Sequence, residues 1–576
     1  MYKTLAALLA AMSLAGCAAT PPPDTAQPTA ATPVAATPPA SSTPRRPPLA
    51  LTQDLLFKLL VAEFAVQRGQ LGAALPAYME LARRVPDPQL AARTARIALY
   101  ARRDREALEA ARLWVKKDPA DMEGRQVLAG LLLRGGRLDE AVQHLEAVLN
   151  SLALPANERF IVVANLLGGE KNKALALQAM ERLVANRQHD ADAQFAYALL
   201  ALKANRLSAA RQAMERALEV KPVETPTGMT YLGILQRQGD LRRIDAWMQT
   251  VIRDYPDQSD LRMAYGRLLA DHKRYDEARA QFEALAEAQP DNAEVQFALG
   301  LLSVQNQDFD RAQGHFLKLT EHEQYRDEAR YYLGQIEANA KHYQEAVRWY
   351  SSVGQGETYF DAQLHMALTR ARQGDMAQAE AQLRRIEPLS DQQKDRVVQA
   401  QAEIYSEQGR YREAMRVYDE ALGDRYDAEL LYNRAMVAEK MGRLDLVERD
   451  LRRIIAREPE HALALNALGY SLADRSTRYQ EALALIQRAL ALSPNDFYTL
   501  DSMGWVLYRL GRLKEAETHL RRAFALRADP EVAAHLGEVL WMLGERDEAR
   551  TIWSRGLETS PADRKVLDVM RRLTPL

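Results

Sequence analysis

The stretch "AYGRLLADHKRYDEARAQFEALAEAQP", Ala264–Pro290, decides the fold. Two later stretches align beneath it: "ALGLLSVQNQDFDRAQGHFLKL" (Ala298–Leu319) and "YLGQIEANAKHYQEAVRWYSSV" (Tyr332–Val353). Gly266, Gly300 and Gly334 recur every 34 residues, as do Ala278, Ala312 and Ala346, and then Phe282, Phe316 and Tyr350. Inside each unit the apolar residues keep a helical period, break once, and resume it. That pattern predicts two amphipathic helices per unit. The small residue on the first helix lets the second approach closely, and the small residue on the second reciprocates. The aromatic or leucine one turn later fills the gap between them. A fixed period of this length marks a solenoid.

Followed outward, the second-helix column falls at Ala74, Ala107, Ala141, Ala174, Ala210, near Ala246, and at Ala278, Ala312, Ala346, Ala379 and Ala414. It continues through Val447, Ala482, Ala516 and Ala549, making roughly fifteen units. The first-helix glycine returns at Gly469, Gly504 and Gly537. Pro86, Pro119, Pro222, Pro256, Pro290, Pro459, Pro494 and Pro561 close several units, because proline cannot continue a helix. Three units are irregular. The fourth lacks the first-helix glycine and is tight at Gly168-Gly169, the sixth reads one residue short, and the thirteenth reads one residue long at Arg475-Ser476-Thr477. The tail Arg564–Leu576 keeps Val566, Leu567, Met570 and Leu573 on one helical face, as expected of a capping helix. The repeat resembles the tetratricopeptide (TPR) signature. The resemblance implies an all-α superhelix over residues 51–563, closed by a cap at 564–576.

The first fifty residues differ in kind. Lys3 precedes an apolar run of signal-peptide length, too short to span a bilayer. It ends at Leu14-Ala15-Gly16-Cys17, and Cys17 is the single cysteine of the chain, so it has no disulfide partner. These four residues resemble the bacterial lipobox. The resemblance implies a signal peptide over 1–16, cleavage before Cys17, and acylation there at a level that anchors stably. Ala18, where an acidic residue would favour retention at the inner membrane, implies the periplasmic side of the outer membrane. An ordinary signal peptide with an incidental cysteine is the plain alternative. Residues 17–50 are rich in Pro, Ala and Thr, with too few large apolar residues to fold. They read as a tether reaching on the order of 90 Å at full extension.

Composition excludes several functions. A net charge of −2 leaves no basic stripe for nucleic acid. The chain carries no H-E-x-x-H, G-x-S-x-G or phosphate-loop motif. Its ten histidines are scattered. His315 and His322 are spaced for one helix face, but no third ligand is evident. The acidic pairs Asp139-Glu140 and Asp547-Glu548 open second helices, where they favour the positive end of the dipole. We expect no enzyme, no metal and no cofactor.

A solenoid offers surface instead. First-helix positions outside the packing signature are expected to line a groove. They are mixed in most units: Glu294, Phe297 and Leu301 in one, Asp260, Met263 and Arg267 in another. Near the C-terminus they become richer, with Asn466, Tyr470, Asp501, Trp505, Tyr508 and Trp541. Aromatic anchors beside hydrogen-bonding groups have the composition of a binding hot spot. The alternative is that Trp505 and Trp541 fill gaps between units, as Trp114 and Trp553 are expected to do.

The block "LNALGYSLADRSTRYQEALALIQRALALSPNDFYTLDSMGWVLYRLGRLKEAETHLRRA" (Leu465–Ala523) resembles the last repeats of a proteobacterial family of TPR lipoproteins. With the lipobox and the tether, the chain is similar to the outer-membrane lipoprotein that partners a periplasmic carboxy-terminal processing protease. This implies an adaptor that brings the serine protease to murein hydrolases, the peptidoglycan cross-link endopeptidases, and so promotes their proteolysis. The alternative from another class is a TPR assembly lipoprotein for an envelope machine such as a pilus or a polysaccharide export pore.

Overall fold

A computed structural model of the chain describes residues 52–150 and 156–574. Cys17, the lipobox residues Leu14 to Gly16 and the tether lie outside the described residues. Among those described there are thirty-one helices and no strands. Thirty of them pair as fifteen helical hairpins, from Gln53–Gln67 with Leu71–Arg84 to Pro530–Leu543 with Arg546–Thr559, and Arg564–Leu573 follows alone. The chain divides into two compact units, one up to Val295 and one from Gln296 onward.

Most hairpins close as the repeat predicts. A side chain on Gly266 would meet the Phe282 ring at 3.0 Å, one on Gly300 the Phe316 ring at 2.7 Å, and one on Gly334 the Tyr350 ring at 2.6 Å. The same contact joins Gly469 to Ile486, Gly504 to Leu520 and Gly537 to Trp553. In earlier units the first-helix position holds alanine instead of glycine: Ala62, Ala95, Ala129, Ala164 and Ala198 are all buried. The gap-filling column is buried throughout, and Trp114 and Trp553 are core residues.

Turn geometry separates the regular hairpins from the irregular ones. In thirteen hairpins the link between the two helices contains a residue of positive φ. It is a glycine in eight, and Arg102, Asn205, Lys273, Gln307 or Lys341 in the others. The fourth and thirteenth hairpins have none. In the thirteenth, Ser476 is extended, and its N–H closes on the Leu472 carbonyl at 3.1 Å.

Four expectations are corrected. In the fourth unit the buried second-helix residue is Ala176, while Ala174 is exposed. In the sixth, Ile244 is buried and Ala246 exposed. Ile244 lies 34 residues from both Ala210 and Ala278, so this unit is not short. Its small residues are replaced by Leu232 and Ile244, both buried. Phe297 and Leu301 do not line a groove. They are core, Phe297 stacking on Tyr325 at 5.1 Å. Finally, the helix carrying His315 ends at Leu317, so His322 lies in the following turn and shares no helix face with it. His315 Nδ1 lies 2.8 Å from Gln296 Oε1, and His322 packs against Tyr325.

Candidate partner-binding face

In the C-terminal unit, Ala462–Arg475, Phe497–Arg509, Pro530–Leu543 and Arg564–Leu573 lie side by side. Their starts are fixed locally. Asp496 Oδ2 accepts from the Thr499 N–H at 2.8 Å, Asp529 Oδ1 from Glu531 at 2.9 Å, and Asp563 Oδ1 from Val566 at 3.1 Å. Such side chains satisfy N–H groups that the helix leaves unpaired. One apolar core runs beneath them from Ala402 to Val566. Val569, Met570 and Leu573 of the last helix pack on it.

Above this core a polar seam joins successive first helices. His535 Nδ1 lies 2.9 Å and 3.0 Å from the two Asp501 carboxylate oxygens, all of it buried. The Trp505 indole stacks on the His535 ring, with centroids 4.2 Å apart. Tyr470 donates its hydroxyl to Glu531 at 2.8 Å, and Lys565 pairs with the same carboxylate. Tyr508 donates to Glu538 at 2.8 Å, and Arg572 holds the other Glu538 oxygen at 2.6 Å.

The electrostatics follow from these contacts. Burial works against a charged imidazolium at His535, but Asp501, with Glu531 beyond it, outweighs burial and raises the pKa. Burial also opposes the Glu531 carboxylate, yet Lys565, His535 and Tyr470 together hold its pKa below the usual range. The Tyr470 phenol is pushed up by burial first and by Glu531 second. Tyr508 is raised to about 12, by burial and then by the bond to Glu538. The phenols are therefore neutral donors and Glu531 an anion at neutral pH. The seam is arranged to bind helix to helix. Neither His535 nor Asp501 is exposed.

Of the six residues singled out from sequence, Tyr470, Asp501, Trp505 and Tyr508 belong to this seam. Asn466 sits one turn before Tyr470, its Oδ1 buried without a hydrogen-bond partner. Trp541 lies apart: it packs on Trp553 at 5.7 Å, with the guanidinium groups of Arg546 and Arg550 over its ring. The most exposed large apolar side chains on these helices are Leu463, Tyr498 and Met542. Sequence reasoning missed His535, Glu531, Glu538, Lys565 and Arg572. A signal for them existed. Asp501–His535, Glu531–Lys565 and Glu538–Arg572 are each 34 residues apart, one repeat period.

Among the described residues no group of three His, Cys, Asp or Glu side chains is placed to hold a metal. No described helix is long and apolar enough to cross a membrane.

Two family models, both described as tetratricopeptide repeat, match the chain. One covers residues 236–302 and the other 164–225, 297–359, 400–446, 432–497 and 502–564, together more than half of the sequence. A TPR repeat-containing protein of Pseudomonas aeruginosa is 41% identical over 498 residues, spanning 85% of this chain and 83% of its own length. Among solved structures, a thermophilic TPR protein of Thermus thermophilus is 26% identical over 30% of this chain and 93% of its own, with a TM-score of 0.27. The Cut9–Hcn1 hetero-tetramer of the APC/C matches at 15% identity over 91% of this chain and 97% of its own, with a TM-score of 0.31.

Proposed function

The chain belongs to the tetratricopeptide repeat family, and from that premise we propose that it is a lipid-anchored adaptor for a periplasmic carboxy-terminal processing protease. TPR proteins bind protein partners, and each of the two units stacks several hairpins, which offers a partner surface within each unit. The gain is effective concentration, since protease and substrate held on one body meet far more often than free molecules do.

The observation that carries the finer reading is the Leu465–Ala523 block, which resembles the last repeats of the protease-adaptor lipoproteins. The lipobox at Leu14 to Cys17 and the Pro-rich stretch after it support the anchored location. On this reading the lipid fixes the protein to the periplasmic side of the outer membrane, the tether sets its reach, and the solenoid presents peptidoglycan cross-link hydrolases to the protease.

A pull-down of residues 51–576 from detergent-treated envelopes, with mass spectrometry of what stays bound, tests it. Recovery of a carboxy-terminal processing protease together with murein hydrolases is expected. Recovery of secretin or export-channel subunits without a protease would replace the adaptor with an assembly scaffold.

A further inference from the structure

The first and last described helices finish their units differently. In Arg564–Leu573, Val566 is buried and Val569, Met570 and Leu573 pack on the core, while Lys565, Asp568 and Arg572 face outward and are exposed. A polar outer face is what a terminal repeat needs for solubility. The first helix, Gln53–Gln67, presents an apolar stripe instead. Leu56, Phe57, Leu60, Val61 and Phe64 are all exposed, Phe57 at 66% and Phe64 at 58%. Their spacing sets them on one face of the helix.

That stripe is a repeat-to-repeat contact left unfilled. Counted from the buried Ala62, the residues Phe57, Val61 and Phe64 hold the places of Leu261, Tyr265 and Leu268 in the seventh hairpin and of Val532, Leu536 and Val539 in the fifteenth. Those six are buried, none above 7% exposed, on helices against which the preceding hairpin packs. Leu56 and Leu60 widen the stripe at places where the second hairpin carries Gln89 and Arg93. The sequence ahead of the helix is poor in apolar cover. From Ala18 to Pro48 it holds one large apolar residue, Val34. The apolar run before Cys17 leaves with the signal peptide on the lipobox reading.

The charges around the stripe select its occupant. Asp54 and Lys58 pair with each other and with Arg84 and Glu80, and Glu63 holds Tyr78 and Arg93. Lys58 is the one base of the helix, so the basic border that draws a helix onto an anionic bilayer is missing. Arg68, which ends the helix, is exposed and makes no ion pair with any described residue. Antiparallel pairing of two such helices about Leu60 and Val61 sets Phe57 against Phe64 of the second copy and Arg68 against its Asp54. Parallel pairing would set Arg68 against Arg68. We propose that the first helix is a homodimer contact, in which two copies of the chain pair antiparallel through this stripe and each covers the seam that the other leaves open. A two-fold contact uses one face twice and closes at two copies. The last helix has already buried its apolar face, so it offers no seat for growth from head to tail. The proposal is independent of the adaptor reading.

Sedimentation equilibrium tests it on the chain from Ala18 onward, which keeps every described residue and lacks the acylation site. A monomer–dimer equilibrium is expected. One helix pair buries less than the roughly 1,600 Å² of a standard interface, so half-dissociation is expected on the order of 10 µM. F57D/F64D should be monomeric over the same range, with an unchanged melting curve because both side chains are exposed. Arg68→Asp alone should weaken the dimer about fivefold, since two symmetric contacts become repulsive, and adding Asp54→Arg should restore it. A wild type that stays monomeric well above that concentration, or a dimer that survives F57D/F64D, overturns the proposal. Failure of Asp54→Arg to restore the dimer overturns the antiparallel pairing. In envelopes, Val61→Cys in the full chain, whose own cysteine is Cys17 alone, should join to a second copy through a short bismaleimide. Joining to a different protein instead would give the face to another partner and overturn the homodimer. So would binding to phosphatidylethanolamine–phosphatidylglycerol vesicles by the wild type and not by F57D/F64D, which would give the face to the bilayer.

Discussion

The His535 imidazole meets the Asp501 carboxylate across one repeat, Nδ1 lying 2.9 Å from Oδ1, in a buried position roofed by the Trp505 indole. Stacked repeats interact only with their neighbours, so the stability of a solenoid is a sum of local terms. Loss of one partner from a buried ionic contact at a seam is therefore felt by the hairpins on either side. The contact at His535 joins the first helices of the fourteenth and fifteenth hairpins.

This contact gives the C-terminal hairpins a pH dependence of definite sign. The groups facing His535 are Asp501, Glu531 and Lys565, with Tyr470 and Trp505 against its ring. Their net effect raises its pKa. A raised histidine contributes fully below the ordinary imidazole value, about 6.5, and its contribution disappears as pH rises through the folded value. The wild type should therefore lose thermal stability relative to His535→Gln as pH is taken from below that range to well above it. A difference between the two melting temperatures that is flat with pH would refute this. Independently, Asp501→Ala strands the buried imidazole and should cost about 3 kcal/mol.

The close helix contact at Gly334 allows a sharper packing test. A methyl group there would lie 2.6 Å from Tyr350 Cε1, and Tyr350 is buried with no room to retreat. Gly334→Ala should destabilise by about 1–3 kcal/mol, the scale of overpacking, although alanine is the better helix former. Gly314, which has open space around it, is the control. Gly314→Ala should be neutral or slightly stabilising by chemical denaturation. Equal effects at the two sites would mean that the close approach does not constrain the hairpin.

The repeat was legible because the same physical demand recurs at one spacing. A small residue, its small partner and a large filler recur in most of the hairpins and can be seen without knowing where any helix points. The reading failed where another pair of residues met that demand. Leu232 and Ile244 close the sixth hairpin with two large side chains, and the alanine nearest the column is the exposed Ala246. In the fourth hairpin the link lacks the positive-φ residue, and the exposed Ala174 stands just before the buried Ala176, which holds the same place in its helix as Ala141 and Ala210 do in theirs. The candidate face was half legible. Tyr470, Asp501, Trp505 and Tyr508 stood out by composition, while His535, Glu531 and Glu538 did not, because each looks ordinary until it is placed one period from its partner. The local sequence also could not show that Trp505 would be covered, since its cover comes from the next repeat.

The hairpin links offer a stabilising change. Gln307 adopts φ 60° in the eighth hairpin, where glycine serves in eight others. The left-handed conformation costs a residue with a Cβ about 1–2 kcal/mol, and glycine avoids most of that cost while losing some unfolded-state entropy. Gln307→Gly should raise stability by about 0.5–1 kcal/mol, read as a shift in the denaturation midpoint at unchanged slope. A destabilised variant would show that the Gln307 side chain makes a contribution larger than the backbone strain.

The proposed anchor rests on one atom, the Cys17 sulfur. Cys17→Ala should move the protein from the membrane pellet to the soluble fraction of fractionated envelopes, and the mature wild type should carry the added mass of acyl chains. A variant that sediments with membranes as the wild type does would remove the lipid from the proposal and leave the scaffold.

The strongest single-site loss is expected at Asp450. Its side chain is fully buried in the helix Leu444–Arg457. Arg434, itself buried, grips it through two bonds at 2.7 Å and 2.8 Å, and Arg449 adds a third at 2.9 Å. Arg434 also reaches Asp419 at 2.6 Å, so one guanidinium ties the second helix of the eleventh hairpin to both helices of the twelfth. Removing one member of a buried pair leaves the other charged and unsolvated, which costs about 3–5 kcal/mol. Asp450→Ala should fall in that range. Replacing both partners by apolar residues of similar volume, D450L with R434M, should recover most of it, because the desolvation penalty goes with the charges. If the double variant is no more stable than D450A, the ion pair does more than satisfy itself, and the lost link to Asp419 becomes the term to measure next.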